Sequence, residues 1–426
     1  MVVEMKKNLT GGFLAALIAA AIPSTSGAMD IKGRVSESVF MQNDDASNQT
    51  YNFNRLRLYL NGTGEETDFH FDGQYRSKGE KDYNNSIDST RIDQFNVDMR
   101  RVAGTNTRLA IGRQYIDPMP GARVDGLNAD FALGETVGTG IFGGTKADPL
   151  HDYFTSDYTT YGLYAYLREK GFSTSLGLAT SQHKGTEDEM YLYGSLAWSP
   201  NDEMSVYSSL RVDNKVTSDA SGGGEGPDIT NLFLNVNYRW GWTARINATY
   251  SQYRAIWLQD TMSYGIDHNI NRNYGLYGDY SITRSGKVYA DINYSTRGND
   301  GKDGSVVGLG YRQNDILNAL YGNVAYRLVN YYTNKGWQGF AALGADIREN
   351  INAELNATYM SSEQDGSADA MTQMIYGGSV NYILTKQLFL YGTLEYSDQN
   401  IPTLNAVKYP SSYKTSSVFI NLDYRF

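Results

Sequence analysis

From Asn231 to Trp240 the chain alternates strictly. Leu232, Leu234, Val236, Tyr238 and Trp240 fall on one side of an extended backbone, with Asn235, Asn237 and Arg239 on the other. The next run repeats the pattern, with Trp242, Ala244, Ile246, Ala248 and Tyr250 set against Arg245, Asn247, Thr249 and Ser251. Arg55 and Arg57 alternate with Leu56, Leu58 and Leu60, and Asn352, Glu354 and Asn356 with Ile351, Ala353, Leu355 and Ala357. Beyond residue 28 no long stretch has helical periodicity. The chain is predicted to be a succession of strands, each apolar on one face and polar, often charged, on the other.

The connections alternate as well. Short links are predicted at 61–66, 103–106, 168–171, 199–203, 240–241, 284–286, 348–350 and 384–386. Longer polar links fall between them, at 41–50, 77–90, 146–156, 183–188, 214–227, 255–269, 361–369 and 397–412. Acidic residues collect in the long links, among them Asp44, Asp45, Glu80, Asp82, Glu187, Asp188, Glu363, Asp365 and Asp369. Tight turns at one end of every hairpin and elaborated loops at the other are the mark of a transmembrane barrel. The runs number about 22, within 20 to 24. An even count brings both termini to one end, expected to be the periplasmic one.

Composition sharpens this reading. The 426 residues include 35 Tyr, 44 Gly and no Cys, with a formal net charge of −10. Without cysteine the chain has no disulfide, thiolate metal site or covalent c-type haem of its own, and an acidic balance argues against nucleic acid as a partner. Mean hydropathy is only −0.48, as expected when every second residue of a closed sheet meets lipid and the others meet water. Tyr238, Trp240, Trp242, Tyr294, Trp337 and Tyr359 lie near predicted strand ends, where interfacial girdles stand. At the start, Lys6 and Lys7 precede an apolar stretch at 11–22 too short for a typical span, and Ser26-Gly27-Ala28 offers small residues for cleavage. Residues 1–28 are therefore predicted to be a signal peptide, and 29–426 the barrel.

The final run is the most specific feature. Val418, Ile420, Leu422, Tyr424 and Phe426 alternate with Phe419, Asn421, Asp423 and Arg425. Here the sequence resembles bacterial outer-membrane β-barrel proteins. The resemblance implies an outer-membrane location, contact with outer-membrane lipid, and recognition of Tyr424 and Phe426 by the barrel-assembly machinery. Gly112-Arg113-Gln114 followed by Arg123-Val124-Asp125 loosely resembles alginate-export-type porins, in which such an arginine helps to line the pore. That likeness implies a constriction at Arg113, Gln114, Arg123 and Asp125. Alternation alone places Arg113 outward with Leu109 and Ile111, so a bulge or a different register would be needed to turn it inward. Glycines from Gly134 to Gly144 mark bulges or close backbone approach.

By parity the wall of the lumen carries Arg55, Arg57, Asp68, His70, Asp72, Arg239, Arg245, Asp279, Asp291, Arg312, Asp346, Arg348, Glu354 and Glu395. Such a lining suits a water-filled passage for ions or small polar solutes, and equally suits a wall of compensating ion pairs. No enzyme is expected. The histidines, His70, His151, His183 and His268, stand in no triad spacing, and Gly222-Gly223-Gly224 lacks the lysine of a phosphate loop. Alternation from about residue 31 leaves no room for a preceding plug domain, and no long infolding loop is evident. A barrel of this size needs filling. It is either a wide or self-constricted diffusion porin, or a sheath around a partner such as the multihaem cytochrome of a porin–cytochrome conduit. Inner-face tyrosines such as Tyr164, Tyr191, Tyr193 and Tyr207 would suit a protein contact or a sugar.

Overall fold

The computed structural model describes residues 29–45, 48–78, 90–148, 152–214, 216–217, 224–225, 227–256, 269–298, 300–364, 370–400 and 412–426. The predicted signal peptide and several expected loop residues, Glu80, Asp82, His151, His268, Asp365 and Asp369 among them, lie outside these. The strands begin with β1 (Met29–Asp44), β2 (Gln49–Gly64), β3 (Thr67–Lys78), β4 (Thr90–Met99), β5 (Thr107–Tyr115), β6 (Arg123–Ala132), β7 (Val137–Thr145) and β8 (Tyr158–Glu169). They continue with β9 (Phe172–His183), β10 (Thr186–Trp198), β11 (Met204–Asp213), the short pair β12 (Val216–Thr217) and β13 (Gly224–Glu225), β14 (Asp228–Trp240), β15 (Ala244–Tyr253), β16 (Asn271–Ser281) and β17 (Gly286–Thr296). The series closes with β18 (Asp303–Ile316), β19 (Leu320–Tyr331), β20 (Asn334–Arg348), β21 (Ile351–Gln364), β22 (Ala370–Ile383), β23 (Leu388–Asn400) and β24 (Ser412–Arg425).

All but β12 and β13 belong to one 22-stranded sheet, in which β1 pairs antiparallel with both β2 and β24. A sheet whose first and last strands pair is a closed antiparallel β-barrel, the architecture and strand number that the alternation predicts. Contacts divide the chain into two compact units, one with Arg312–Tyr326, Gly336–Phe426 and the residues up to Val97, the other with Asp98–Tyr311 and Arg327–Lys335.

In the first unit the seam lies beside the termini. Gly33 N donates to Phe426 O at 2.8 Å and Phe426 N to Gly33 O at 3.0 Å. Asp423 accepts from Arg425 Nε at 3.0 Å and also pairs with Arg34. Gly33 is needed here because a Cβ would stand 2.6 Å from Cε2 of Phe426. On the apolar face Tyr326, Trp337 and Tyr359 form a row with centroids 5.7 and 5.0 Å apart.

In the second unit the apolar face carries a comparable row, Tyr250, Tyr274 and Tyr294, spaced 5.1 and 6.1 Å. Trp240 and Trp242, at the opposite strand end, are 69% and 68% exposed. Leu127, Ile141, Leu163 and Leu176 are exposed on the same face, as bilayer-facing residues of a barrel should be. One link is tighter than expected. Residues 183–188 are predicted as a long link, but the chain turns at Lys184 and Gly185, whose φ angles of 50° and 83° make a two-residue hairpin of positive φ.

Candidate functional site: a turn folded onto the polar face

The residues joining β5 to β6, Ile116 to Ala122, do not extend away from the sheet. Pro118 and Pro120 bracket Met119 and stiffen the segment. Met119 N donates to Ile116 O at 2.8 Å, Ala122 N to Met119 O at 2.9 Å, and Ile116 N to Ala122 O at 3.0 Å. The compact turn lies on the polar faces of strands distant in sequence. Ser175 Oγ on β9 donates to Pro118 O at 2.6 Å and lies 2.7 Å from Ser195 Oγ on β10. Met119 sits over Gly177, where a Cβ would come within 2.7 Å of Met119 Cγ.

The result is a small apolar core on the otherwise polar face. Ile116, Met119 and Val124 have no exposed surface, and with Ala122 they pack against Phe142, Tyr164, Ala179, Tyr191 and Tyr193. Three buried aliphatic side chains contribute about 1.5–3 kcal/mol each relative to exposure. The tyrosines meet their polar needs at the edge of the core. Tyr164 Oη lies 3.0 Å from Asn128 Oδ1 and 3.1 Å from Asp130 Oδ2, and Tyr166 Oη donates to Asp130 Oδ1 at 2.8 Å. Their rings rest on Gly140 and Gly138, which explains these two glycines of β7 as close approaches. Arg211 lies 3.8 Å above the Tyr191 ring and donates to Glu189 at 2.9 Å and Asp213 at 2.7 Å. Lys146 Nζ reaches Glu189 at 2.5 Å. This segment is not the long infolding loop whose absence the sequence suggests: it is a short turn laid on the polar face.

Of the four expected constriction residues, only Gln114 faces this core side, donating to Ala110 O at 3.1 Å. Arg113, Arg123 and Asp125 share the face of Ile111, Tyr115 and Leu127, all exposed apolar residues. Regular pairing of β5 with β6 leaves no bulge to turn them over. Arg113 and Asp125 compensate one another through two hydrogen bonds of 2.6 Å, with side chains 10% and 5% exposed. Asp152, from the link between β7 and β8, pairs with Arg123 and offers its carbonyl to Arg113 at 3.5 Å. A paired charge under a covering segment is what an apolar face tolerates.

The residues expected along the lumen lie on the polar faces of their strands. Arg55 and Arg57 on β2 share that face with Asp68, His70 and Asp72 on β3, and Arg57 Nη2 binds Asp72 at 2.6 Å. Arg245 Nε binds Asp279 at 2.9 Å beside Arg239, and Arg327 Nε lies 3.4 Å from Asp291. Arg312, Asp346, Arg348, Glu354 and Glu395 each follow or precede a strongly exposed apolar residue, Tyr311, Ile347, Leu355 and Leu394. Asp346 accepts from Asn352 Nδ2 at 2.8 Å. Four of these charges are therefore spent on each other, Arg57 with Asp72 and Arg245 with Asp279, and Asp291 is met by Arg327. Among the described residues no cluster of three or more His, Cys, Asp or Glu is arranged to hold a metal, and His183 stacks on Tyr158 at 4.5 Å.

No family model matches the chain, and no curated protein matches it in sequence. Among solved structures it is similar to OccAB4 of Acinetobacter baumannii, with 9% identity and a TM-score of 0.46 over 94% of this chain and 99% of that one. The outer membrane protein OpdK of Pseudomonas aeruginosa gives 9% identity and a TM-score of 0.47 over 93% and 99%. OpdO of Pseudomonas aeruginosa gives 9% and 0.48 over 94% and 97%.

The residues sequence reasoning missed are Ile116, Met119, Ser175 and Gly177. One signal pointed to Ile116 and Met119, two apolar side chains beside a pair of prolines in a link that should be polar, and none pointed to Ser175 or Gly177.

Proposed function

We propose that the chain is a porin-like outer-membrane channel that passes ions or small polar solutes, with its bore reduced by the Ile116–Ala122 turn. The observation that carries this reading is a closed sheet with one exposed apolar face, banded by aromatic rows, and one polar face. Only a barrel sealed against its own edges can hold such a sheet in a bilayer, and the polar face then encloses water. The short turns beside the termini would face the periplasm and the longer links the exterior. A turn folded onto the polar face would supply part of the narrowing that a barrel of 22 strands calls for.

The test is single-channel conductance of the purified barrel in a planar bilayer with no other protein present. A small, steady conductance is expected. A very large, unselective one would refute self-constriction and turn attention to a filling partner, and no conductance would refute the channel.

A further inference from the structure

Away from the turn, the polar face of the second unit has a different chemistry. Tyr207, Asn235, Thr249, Gly275 and Asn293 stand side by side across β11, β14, β15, β16 and β17. The adjoining row holds Asn237, Asn247, Tyr277 and Asp291. Neighbouring strands lie about 4.7–4.9 Å apart, close to the width of a pyranose ring. The absent side chain of Gly275 leaves a dent into which two groups lean, the Thr249 hydroxyl and the Asn293 carboxamide, whose Oδ1 is 3.1 Å from where a Cβ would stand.

Two properties set this wall apart. First, the carboxamides of Asn235, Asn237 and Asn247 hydrogen-bond no other side chain among the described residues, so each presents both donors and an acceptor. Second, two of the bordering arginines are paired, Arg245 with Asp279 at 2.9 Å and Arg327 with Asp291 at 3.4 Å, while Arg239 beside Arg245 makes no ion pair among the described residues. Within the two rows the one charge is Asp291, paired with Arg327, and the unpaired guanidinium of Arg239 stands at their edge. A neutral molecule rich in hydroxyl groups meets matched donors and acceptors, bordered by the rings of Tyr277 and Tyr289, stacked with centroids 6.3 Å apart, with Arg245 lying 5.1 Å from the Tyr277 centroid and Gly310 beneath Tyr289. Phe233 extends the aromatic border beside Tyr207 at 5.9 Å.

We infer that this wall binds neutral, hydroxyl-rich solutes, carbohydrates as a chemical class, as they traverse the barrel. The inference rests on the channel reading and adds the solute's chemistry to it. Carboxamides bind vicinal hydroxyls through paired bonds, and tyrosine rings cover the apolar C–H faces of a sugar, a combination that gives weak, fast-releasing sites suited to passage rather than capture.

The experiment is current noise through the full-length barrel in a planar bilayer, with raffinose added to one side and, separately, a poly(ethylene glycol) of the same hydrodynamic size. Raffinose is expected to interrupt the current saturably, and the polyether, which has no hydroxyls along its chain, to show no saturation. Asn235→Ala and Asn247→Ala should each raise the half-saturating raffinose concentration about fivefold, the weight of one neutral hydrogen bond. Strand circular dichroism and resistance to unfolding in dodecyl sulfate report whether each variant is folded. Should a second pair be needed, Asn237→Ser and Tyr277→Leu probe the same row with little change of backbone. Equal interruption by both probes, or unchanged saturation in folded variants, would overturn the inference and leave the channel standing. Saturation by gluconate alone would do the same. Absence of any current in plain salt would overturn the channel reading itself.

Discussion

Gly177→Ala perturbs the infolded turn at one atom. The added methyl would stand 2.7 Å from Met119 Cγ and 2.9 Å from Met119 Cε, well inside the 3.5–4.0 Å at which carbon atoms rest. Met119 has no exposed surface and is packed in one cluster with Ile116, Val124, Phe142 and Tyr164, so its side chain has little room to rotate away within the core. Overpacking of this kind costs about 1–3 kcal/mol. Burial of Met119 holds the turn down by about 1.5–3 kcal/mol, and the bond from Ser175 to Pro118 adds about 1 kcal/mol. Strain and docking are thus of similar size, and in G177A the turn should spend a measurable fraction of its time lifted. Met119→Ala alone should cost about 2–5 kcal/mol by leaving a cavity. In the double variant the new methyl occupies part of that cavity, so the two losses should fall short of their sum by about 1–2 kcal/mol. Urea unfolding in lipid, followed by intrinsic tryptophan fluorescence, measures the coupling, and single-channel recording of G177A should show a larger, noisier conductance. Additive losses together with a wild-type conductance would refute the packing argument.

Other expectations follow from the same contacts. Asp125→Ala strands the Arg113 guanidinium on the apolar face and should cost about 3–5 kcal/mol in the same assay, whereas Arg113→Met with Asp125→Leu should be close to neutral; a mild single variant would contradict the burial of this pair. Gly33→Val drives a side chain into the Phe426 ring, and should slow barrel closure as seen by heat-modifiable mobility on gels, while leaving the unaffected hairpins paired. In the link between β17 and β18, hydrogen bonding from Arg297 holds the Asp300 carboxyl below its ordinary range. A depressed folded value means that its contribution is present above the unfolded value of about 3.9 and is lost only as pH falls through the lower folded one. The carboxyl carbon shift of Asp300 should therefore titrate below that of the same residue in Arg297→Gln.

The two-faced strands were legible because period-two alternation is a local property, repeated wherever a strand separates lipid from water. Asn235 and Leu234 announce their faces without help from any distant residue. Ion pairing was half legible: parity put Arg245 and Asp279 on one face, but only the register between β15 and β16 makes them neighbours. The stretch that holds Pro118 and Pro120 departs visibly from the alternation, but its docking was not legible, because its partners Ser175 and Gly177 follow Pro118 by more than fifty positions, and a glycine accommodating a methionine looks like any other strand glycine. The similarity around Arg113 misled for a related reason. It suggested a lining arginine, while the alternation of Leu109, Ile111 and Arg113 already placed the guanidinium on the apolar face, where Asp125 could make it tolerable.

The seam between Gly33 and Phe426 bears on how the molecule is made. Arg34 and Asp423, which meet there, are 389 positions apart, so the contact that removes the last free edges is also among the highest in contact order. Loop-closure entropy for such a meeting is paid late, after the intervening hairpins have formed from near neighbours. Until then β1 and β24 each present a row of unpaired amides and carbonyls, and in that interval they are templates for any other extended chain. A cell that makes this protein must therefore keep two sticky strands apart from everything but each other, which sets a premium on delivering the first strand and the last to the same place at the same time.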